Sequence, residues 1–243
     1  MEEFKIPTEK IELPSKGLVY PPESPLAQGY VEMKYMTAKE EDILLNSNYI
    51  KNGTAIDKLM KALIVTPINY DDLIVGDKNA VMVASRILGY GSEYIFEYDG
   101  ETHTVDLSQL DSKPLDESLF TPGVNEFPYV FPFSKTEITF KLLQHRDENN
   151  ITRELEGLKK INKDNSPELS TRLKYMITSV AGNRETKVIR EFVDKHLLAR
   201  DAKSLRSHIK NFQPDVDLTF FPSGDSDRVN IPIGIKFFWP DLD

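Results

Sequence analysis

The chain has 243 residues, of which 40% are hydrophobic and 28% charged, and a formal net charge of −9. That composition supports a folded core and fits one large domain or two small ones. The acidic balance argues against wrapping duplex nucleic acid, which needs clustered Lys and Arg, and the absence of cysteine excludes disulfides, thiol catalysis and cysteine-ligated zinc.

The opening MEEFKIPTEK has neither a basic n-region nor an apolar h-region, so no secretory signal is expected. No apolar run approaches the roughly 20 residues of a membrane helix. The sequons at Asn52 and Asn150 are therefore read as chance. Pro7, Pro14, Pro21, Pro22 and Pro25 fix φ and remove backbone donors, which predicts extended pieces joined by turns, with Ser15-Lys16-Gly17 as one turn. YVEMKY at 30–35 alternates as a strand, with Val31, Met33 and Tyr35 on one face.

Thr37-Ala38-Lys39-Glu40 is a capping box and predicts a first helix ending near 46–48. A second helix starts at Thr54, with Asp57 at N3 and an apolar stripe of Ile56, Leu59, Met60, Leu63 and Ile64, and Pro67 stops it. A third begins near Gly76 or Asp77 and carries Ala80, Val81, Ala84, Ile87 and Leu88, with Gly89 as its C′ residue. Residues 93–106 read as a hairpin turning at Asp99-Gly100. Residues 107–126 read as a loop or linker, and 127–143 as a proline-broken edge followed by a strand.

From Asn149 the chain turns helical again. Helices are expected over 152–161, 168–180 with Leu169, Leu173, Met176, Ile177 and Val180 in register, and 186–197. Asp201 is expected to cap a further helix with Ala202, Leu205, Ile209 and Phe212 inward. Strands at 216–221 and 229–238 close the chain. The fold class is α+β: helical bundles combined with short antiparallel β-hairpins and an extended proline-rich N-terminal arm. The expected segments are 1–36 (arm with a strand), 37–106 (helical subdomain with hairpin), 107–145 (linker and hairpin) and 146–243 (helical subdomain with C-terminal antiparallel strands).

Catalytic patterns are scarce. None of His103, His145, His196 and His208 belongs to an H-E-x-x-H or H-x-x-x-H pair. The glycines of GYGSE at 89–93 follow a helix and precede a strand, the reverse of a dinucleotide fingerprint. Asp215, Asp217, Asp225 and Asp227 lack the frame of a calcium loop and read as a polar turn. No cofactor and no metal site are expected. Asp71, Asp72 and Asp77 would serve a divalent-metal-dependent hydrolase, but also read as acids at helix N-termini.

Two features point to partners. The window 184–212 holds eight basic residues against four acidic ones, and on a helix Arg200, Lys203 and Lys210 share a face with Arg206 at its edge. This is either a docking face for an acidic partner, another copy's acidic N-terminal half included, or a solvated helix face. Phe237, Phe238 and Trp239 make a strand apolar on both sides, which fits either burial in its own domain or a contact surface.

Several blocks together resemble the baseplate hub and hub-assembly proteins of T-even-type contractile-tailed bacteriophages. They are Pro14-Ser15-Lys16-Gly17 with Tyr20-Pro21, MTAKEEDIL at 36–44, GTAIDKL at 53–59, GDKNA at 76–80, RILGYG at 86–91, residues 201–209, Pro214-Asp215-Val216-Asp217 and Phe237-Phe238-Trp239-Pro240. The resemblance implies a non-enzymatic protein of virion assembly, either a structural subunit or an assembly chaperone. Its partners would be other tail or baseplate proteins, the tape-measure protein among them. It would act in the host cytoplasm during assembly and, if a structural subunit, stay in the virion tail baseplate. In the family this chain resembles, some members carry cysteine pairs in their hairpins, like a zinc ribbon; the hairpins at 94–105 and 218–237 have none, so metal is not carried over. The expected partner-binding residues are Pro14, Lys16, Gly17 and Tyr20 of the arm, Arg200, Lys203, Arg206 and Lys210, and Phe237, Phe238 and Trp239. Homo-oligomerisation is compatible with this reading, and an adaptor between host and viral proteins is a further alternative.

Overall fold

Residues 8–12 and 30–34 pair antiparallel as β1 (Thr8–Glu12) and β2 (Tyr30–Lys34), with Ile11 opposite Val31. They open a computed structural model that describes residues 6–161, 167–222, 228–233 and 235–238. The alternation in β2 holds: Val31 and Met33 are buried while Glu32 is exposed. The residues between the strands do not run out as an arm. They fold back through a turn at Lys16-Gly17 and a short 3-10 helix at Pro25–Gln28, and Leu13, Pro14, Ser15, Val19, Tyr20 and Leu26 are buried. Gly17 is needed here, because its φ is +81° and a Cβ would lie 2.5 Å from the Ala27 carbonyl oxygen.

Thr37 caps α1 (Ala38–Leu45). Glu40 reaches back to accept from the Thr37 amide at 3.1 Å and its hydroxyl at 2.6 Å. Asn46 ends α1 and caps the short α2 (Ser47–Lys51), which has no periodic signature. Helix α3 (Ala55–Leu63) buries Leu59, Met60 and Leu63, each worth roughly 1.5–3 kcal/mol. It ends before Pro67, where Ile64 bridges to Met33. Helix α4 (Val75–Tyr90) is the central rod, buried on several sides by small residues as its composition implies. It outlasts Gly89 and stops at Gly91, whose φ of 84° no longer continues the helix.

The hairpin of β3 (Glu93–Tyr98) and β4 (Glu101–Asp106) turns at Asp99 and Gly100, both at positive φ, as an Asp-Gly turn requires. Strands β5 (Phe127–Val130) and β6 (Glu137–Phe140) pair next. Helix α5 (His145–Ile161) starts earlier than its apolar pattern indicated, with Asp147 accepting the Gln144 amide at its N-terminus. The expected 168–180 helix divides. Helix α6 (Glu168–Met176) stops, and β7 (Ile177–Val180) joins the sheet beside β6, in the order β5-β6-β7. Ile177 and Val180 suit either element by spacing, and the free edge of β6 decides.

Helices α7 (Thr186–Lys195) and α8 (Ala199–Phe212) follow. Asp201 is not the N-cap of α8, which is Leu198. It lies in the first turn, fully buried, and accepts the backbone amides of Phe133 and Ser134 at 3.0 Å each, clamping the β5–β6 loop. The closing strands shrink to β8 (Thr219–Phe220) and β9 (Val229–Asn230), and Ile235–Phe238 form a helical turn, α9, rather than strand. The class is α+β with small antiparallel sheets. One cluster of buried apolar side chains runs from Leu13 to Phe238 and draws on all four expected segments. No described helix is long and apolar enough to cross a membrane.

Candidate interaction surface

The N-terminal turn of α4 gathers segments distant in sequence. Asp77, fully buried, accepts the Ser15 amide at 2.9 Å on Oδ1, and the Ser15 and Tyr20 hydroxyls at 2.6 Å each on Oδ2. The Tyr20 oxygen in turn accepts the Ile74 amide at 3.0 Å. Burial pushes the Asp77 carboxyl up to about 6, outweighing those donors. On the other side, Gly76 lies so close to Pro214 that a Cβ would sit 1.8 Å from its carbonyl oxygen, and Asn79 holds Asp215 at 2.9 Å. Pro14, Gly17 and Tyr20 are thus internal fasteners and not available to a partner, which corrects their expected role. Only Lys16 of that group faces solvent, 2.5 Å from Glu117.

A second polar cluster joins α3, α4 and α5. Lys78 Nζ donates to His145 Nδ1 at 3.0 Å, which leaves the Nε2 proton facing Asp57 Oδ2 at 3.1 Å. Lys78 also reaches Asp57 Oδ1 at 3.2 Å, and Tyr70 stacks edgewise on the imidazole. Burial raises the Asp57 carboxyl, but the His145 hydrogen bond and the Lys78 charge prevail and hold it at about 2. Sequence spacing gave no sign of this cluster, because its members lie 21 and 67 positions apart. The acids weighed for a hydrolase do not converge. Asp77 is sealed behind Ser15 and Tyr20, while Asp71 faces Lys61 and Asp72 pairs with Arg146 on the short 3-10 helix at Tyr70–Asp72. Among the described residues no three His, Cys, Asp or Glu side chains are grouped to hold a metal ion.

Helix α8 carries the expected cationic stripe. Leu205 and Ile209 are buried, whereas Arg200, Lys203, Arg206 and Lys210 are exposed. Three of the neighbouring cations are neutralised, Arg184 by Glu126, Arg190 by Glu154 and Lys195 by Glu191, while Lys187 is exposed. The four of α8 form no ion pair among the described residues, since the helix's only acid, Asp201, is turned inward. Arg200 lies over the Phe133 ring, 5.4 Å from its centroid, and Phe133 is itself 53% exposed. At the other end Arg206 and Lys210 border a surface cleft of about 250 Å3, lined also by Lys113, Met176, Ile209 and Asp215. Lys113 and Met176 reach this cleft from separate elements and were not legible as site residues.

Phe237 and Phe238 are buried, at 0% and 2% exposure, which overturns their expected role as a contact surface. The helical turn places Phe237 edge-on to Tyr94 at 5.0 Å, next to the cluster of Phe96, His103 and Phe220. Trp239 lies outside the described residues, as do Asp225 and Asp227.

Comparison with protein-family models, with curated proteins and with solved structures finds no match.

Proposed function

We propose that the chain is a non-enzymatic interaction protein of contractile-tail assembly, a baseplate hub or hub-assembly component of a T-even-type bacteriophage. The observation that supports this reading best is the meeting of the resembling blocks. PSKG meets GDKNA through Ser15 and Asp77, and GDKNA meets Pro214-Asp215 through Gly76 and Asn79. RILGYG meets the Met36 block through Gly89, where a Cβ would lie 2.6 Å from the Met36 methyl. These five blocks therefore act as fold fasteners, and the surface left for partners is the stripe of α8, which forms no ion pair among the described residues and includes Lys203 and Arg206 of the 201–209 block, with the outward rim of the N-terminal segment at Lys16, Pro21 and Pro22.

In this reading the partners are other tail or baseplate proteins, the tape-measure protein included, met in the host cytoplasm during assembly. Deletion of the gene followed by electron microscopy of tail intermediates tests it. Incomplete or absent baseplates are expected, and normal baseplates would end the proposal. Capture from infected cells with a tagged chain should return tail proteins, and recovery of host enzymes alone would favour the adaptor alternative. Presence or absence in purified virions then separates the structural subunit from the transient chaperone.

A further inference from the structure

The solvent face of the β3–β4 hairpin is the electrostatic opposite of α8. Glu93, Ile95 and Glu97 point outward from β3, while Tyr94 and Phe96 point inward. The registered partners of these three residues on β4 are Asp106, Thr104 and Thr102, also exposed. With Asp99 and Glu101 at the turn, the hairpin carries five acids and no Lys or Arg. Glu93, Glu97, Asp99 and Glu101 form no ion pair among the described residues. In the middle of this acidic face stands Ile95, 56% exposed.

We infer that the chain self-associates through a contact between the hairpin face of one copy and the α8 stripe of a second. The two surfaces carry opposite charge at comparable spacing. Glu93 and Glu97 are about 13 Å apart along an extended strand. Lys203 and Lys210 are about 10 Å apart along a helix, and the lysine stems cover the difference. Ile95, between the two glutamates, fits the cleft where Met176 and Ile209 lie beside Arg206 and Lys210. Asp215 in that cleft is occupied by Lys113 and Asn79, so it does not oppose the incoming acids. No ion pair joins the two surfaces within one copy among the described residues. The contact is heterologous: each copy presents both halves, so repetition gives a ring or a chain of copies unless two copies bind reciprocally. Exposed ion pairs contribute little each, so the association is weak and sensitive to salt. This inference does not rest on the tail-assembly reading and survives or fails separately from it.

Sedimentation velocity on the purified full-length chain tests it with two charge-reversed variants, Lys203→Glu/Arg206→Glu and Glu93→Lys/Glu97→Lys. All four positions are exposed, and circular dichroism melts verify that each variant folds. The wild type is expected to associate at about 0.02 M salt and to dissociate at about 0.5 M. Each variant alone should be monomeric, because like charges then face each other. An equimolar mixture of the two should associate again, since the intact hairpin of the first meets the intact α8 of the second. If a reversal unfolds the chain, Arg206→Gln/Lys210→Gln should still weaken association at least tenfold. A wild type that stays monomeric at low salt overturns the inference. So does association that survives either reversal, or a mixture that fails to associate.

Discussion

Ser15 and Asp77, 62 positions apart, are held by two hydrogen bonds, one from the serine amide and one from its hydroxyl. This pair closes the N-terminal segment onto the first turn of α4. It explains why a proline- and glycine-rich opening is stable: Tyr20 and Leu13 go into the core, and the backbone that brings them there is anchored on one buried carboxyl. Ser15→Ala leaves Asp77 short of a donor and is expected to cost about 1–3 kcal/mol, read as a lower denaturant midpoint at unchanged slope. An unchanged midpoint would show that the fastener contributes nothing.

The same carboxyl sets a pH dependence. Asp77 is pushed up to about 6 in the folded chain by burial, against about 3.9 unfolded. Between those values the folded state binds more protons than the unfolded state. Stability from this group is therefore fully present below about 4, falls as pH rises to about 6, and is flat above, by at most about 3 kcal/mol. Urea midpoints measured across that window should fall in the wild type and lose that slope in Asp77→Asn.

Asp57 acts with the opposite sign. Its carboxyl is held at about 2 by His145 and Lys78 despite burial. The unfolded state binds the extra proton here, so this stabilisation is present above about 4 and is lost as pH falls towards about 2. Lys78→Met removes one of the two supports. Its acid-unfolding midpoint is expected at higher pH than the wild type's, and an equal or lower midpoint would count against the cluster as a stabilising unit.

Gly76→Ala should be among the most disruptive single substitutions. The added methyl would meet the Pro214 backbone carbonyl at 1.8 Å, and backbone cannot step aside as a flexible side chain can. A loss of about 3 kcal/mol or more is expected. By contrast Gly157→Ala, which meets nothing within 4 Å in the exposed middle of α5, should stabilise by up to about 1 kcal/mol. Thermal melts of the two variants compare them directly.

Asp201→Ala removes the carboxylate that accepts the Phe133 and Ser134 amides. A cost of about 1–3 kcal/mol is expected. Hydrogen exchange should rise at those two amides in particular. If exchange there stays unchanged, the clamp on the β5–β6 loop is not real.

Some of this was written in local patterns. The capping box at Thr37, the apolar stripe of α3, the Asp-Gly turn and the solvent face of α8 depend on neighbours within about one helical turn or one hairpin, and each was legible. The α8 stripe in particular was visible because opposite faces of a helix are separated by period alone. Other elements depended on partners far along the chain. Ile177-Thr178-Ser179-Val180 continued a helical spacing and became strand only because β6 offered an edge. Phe237 and Phe238 looked like a surface and became core because Tyr94 and its neighbours received them. The Asp57–Lys78–His145 cluster and the cleft of Met176 and Lys113 exist only where separate elements meet.

Periodicity and turn chemistry alone therefore determined the first helix, the stripe of α3, the Asp-Gly hairpin and which cations of α8 face water, but not the strand at 177–180 or the helical turn at 235–238. The tertiary structure decided what the prolines, glycines and aromatics are for, because burial and hydrogen-bond satisfaction are properties of segments brought together from tens of residues apart.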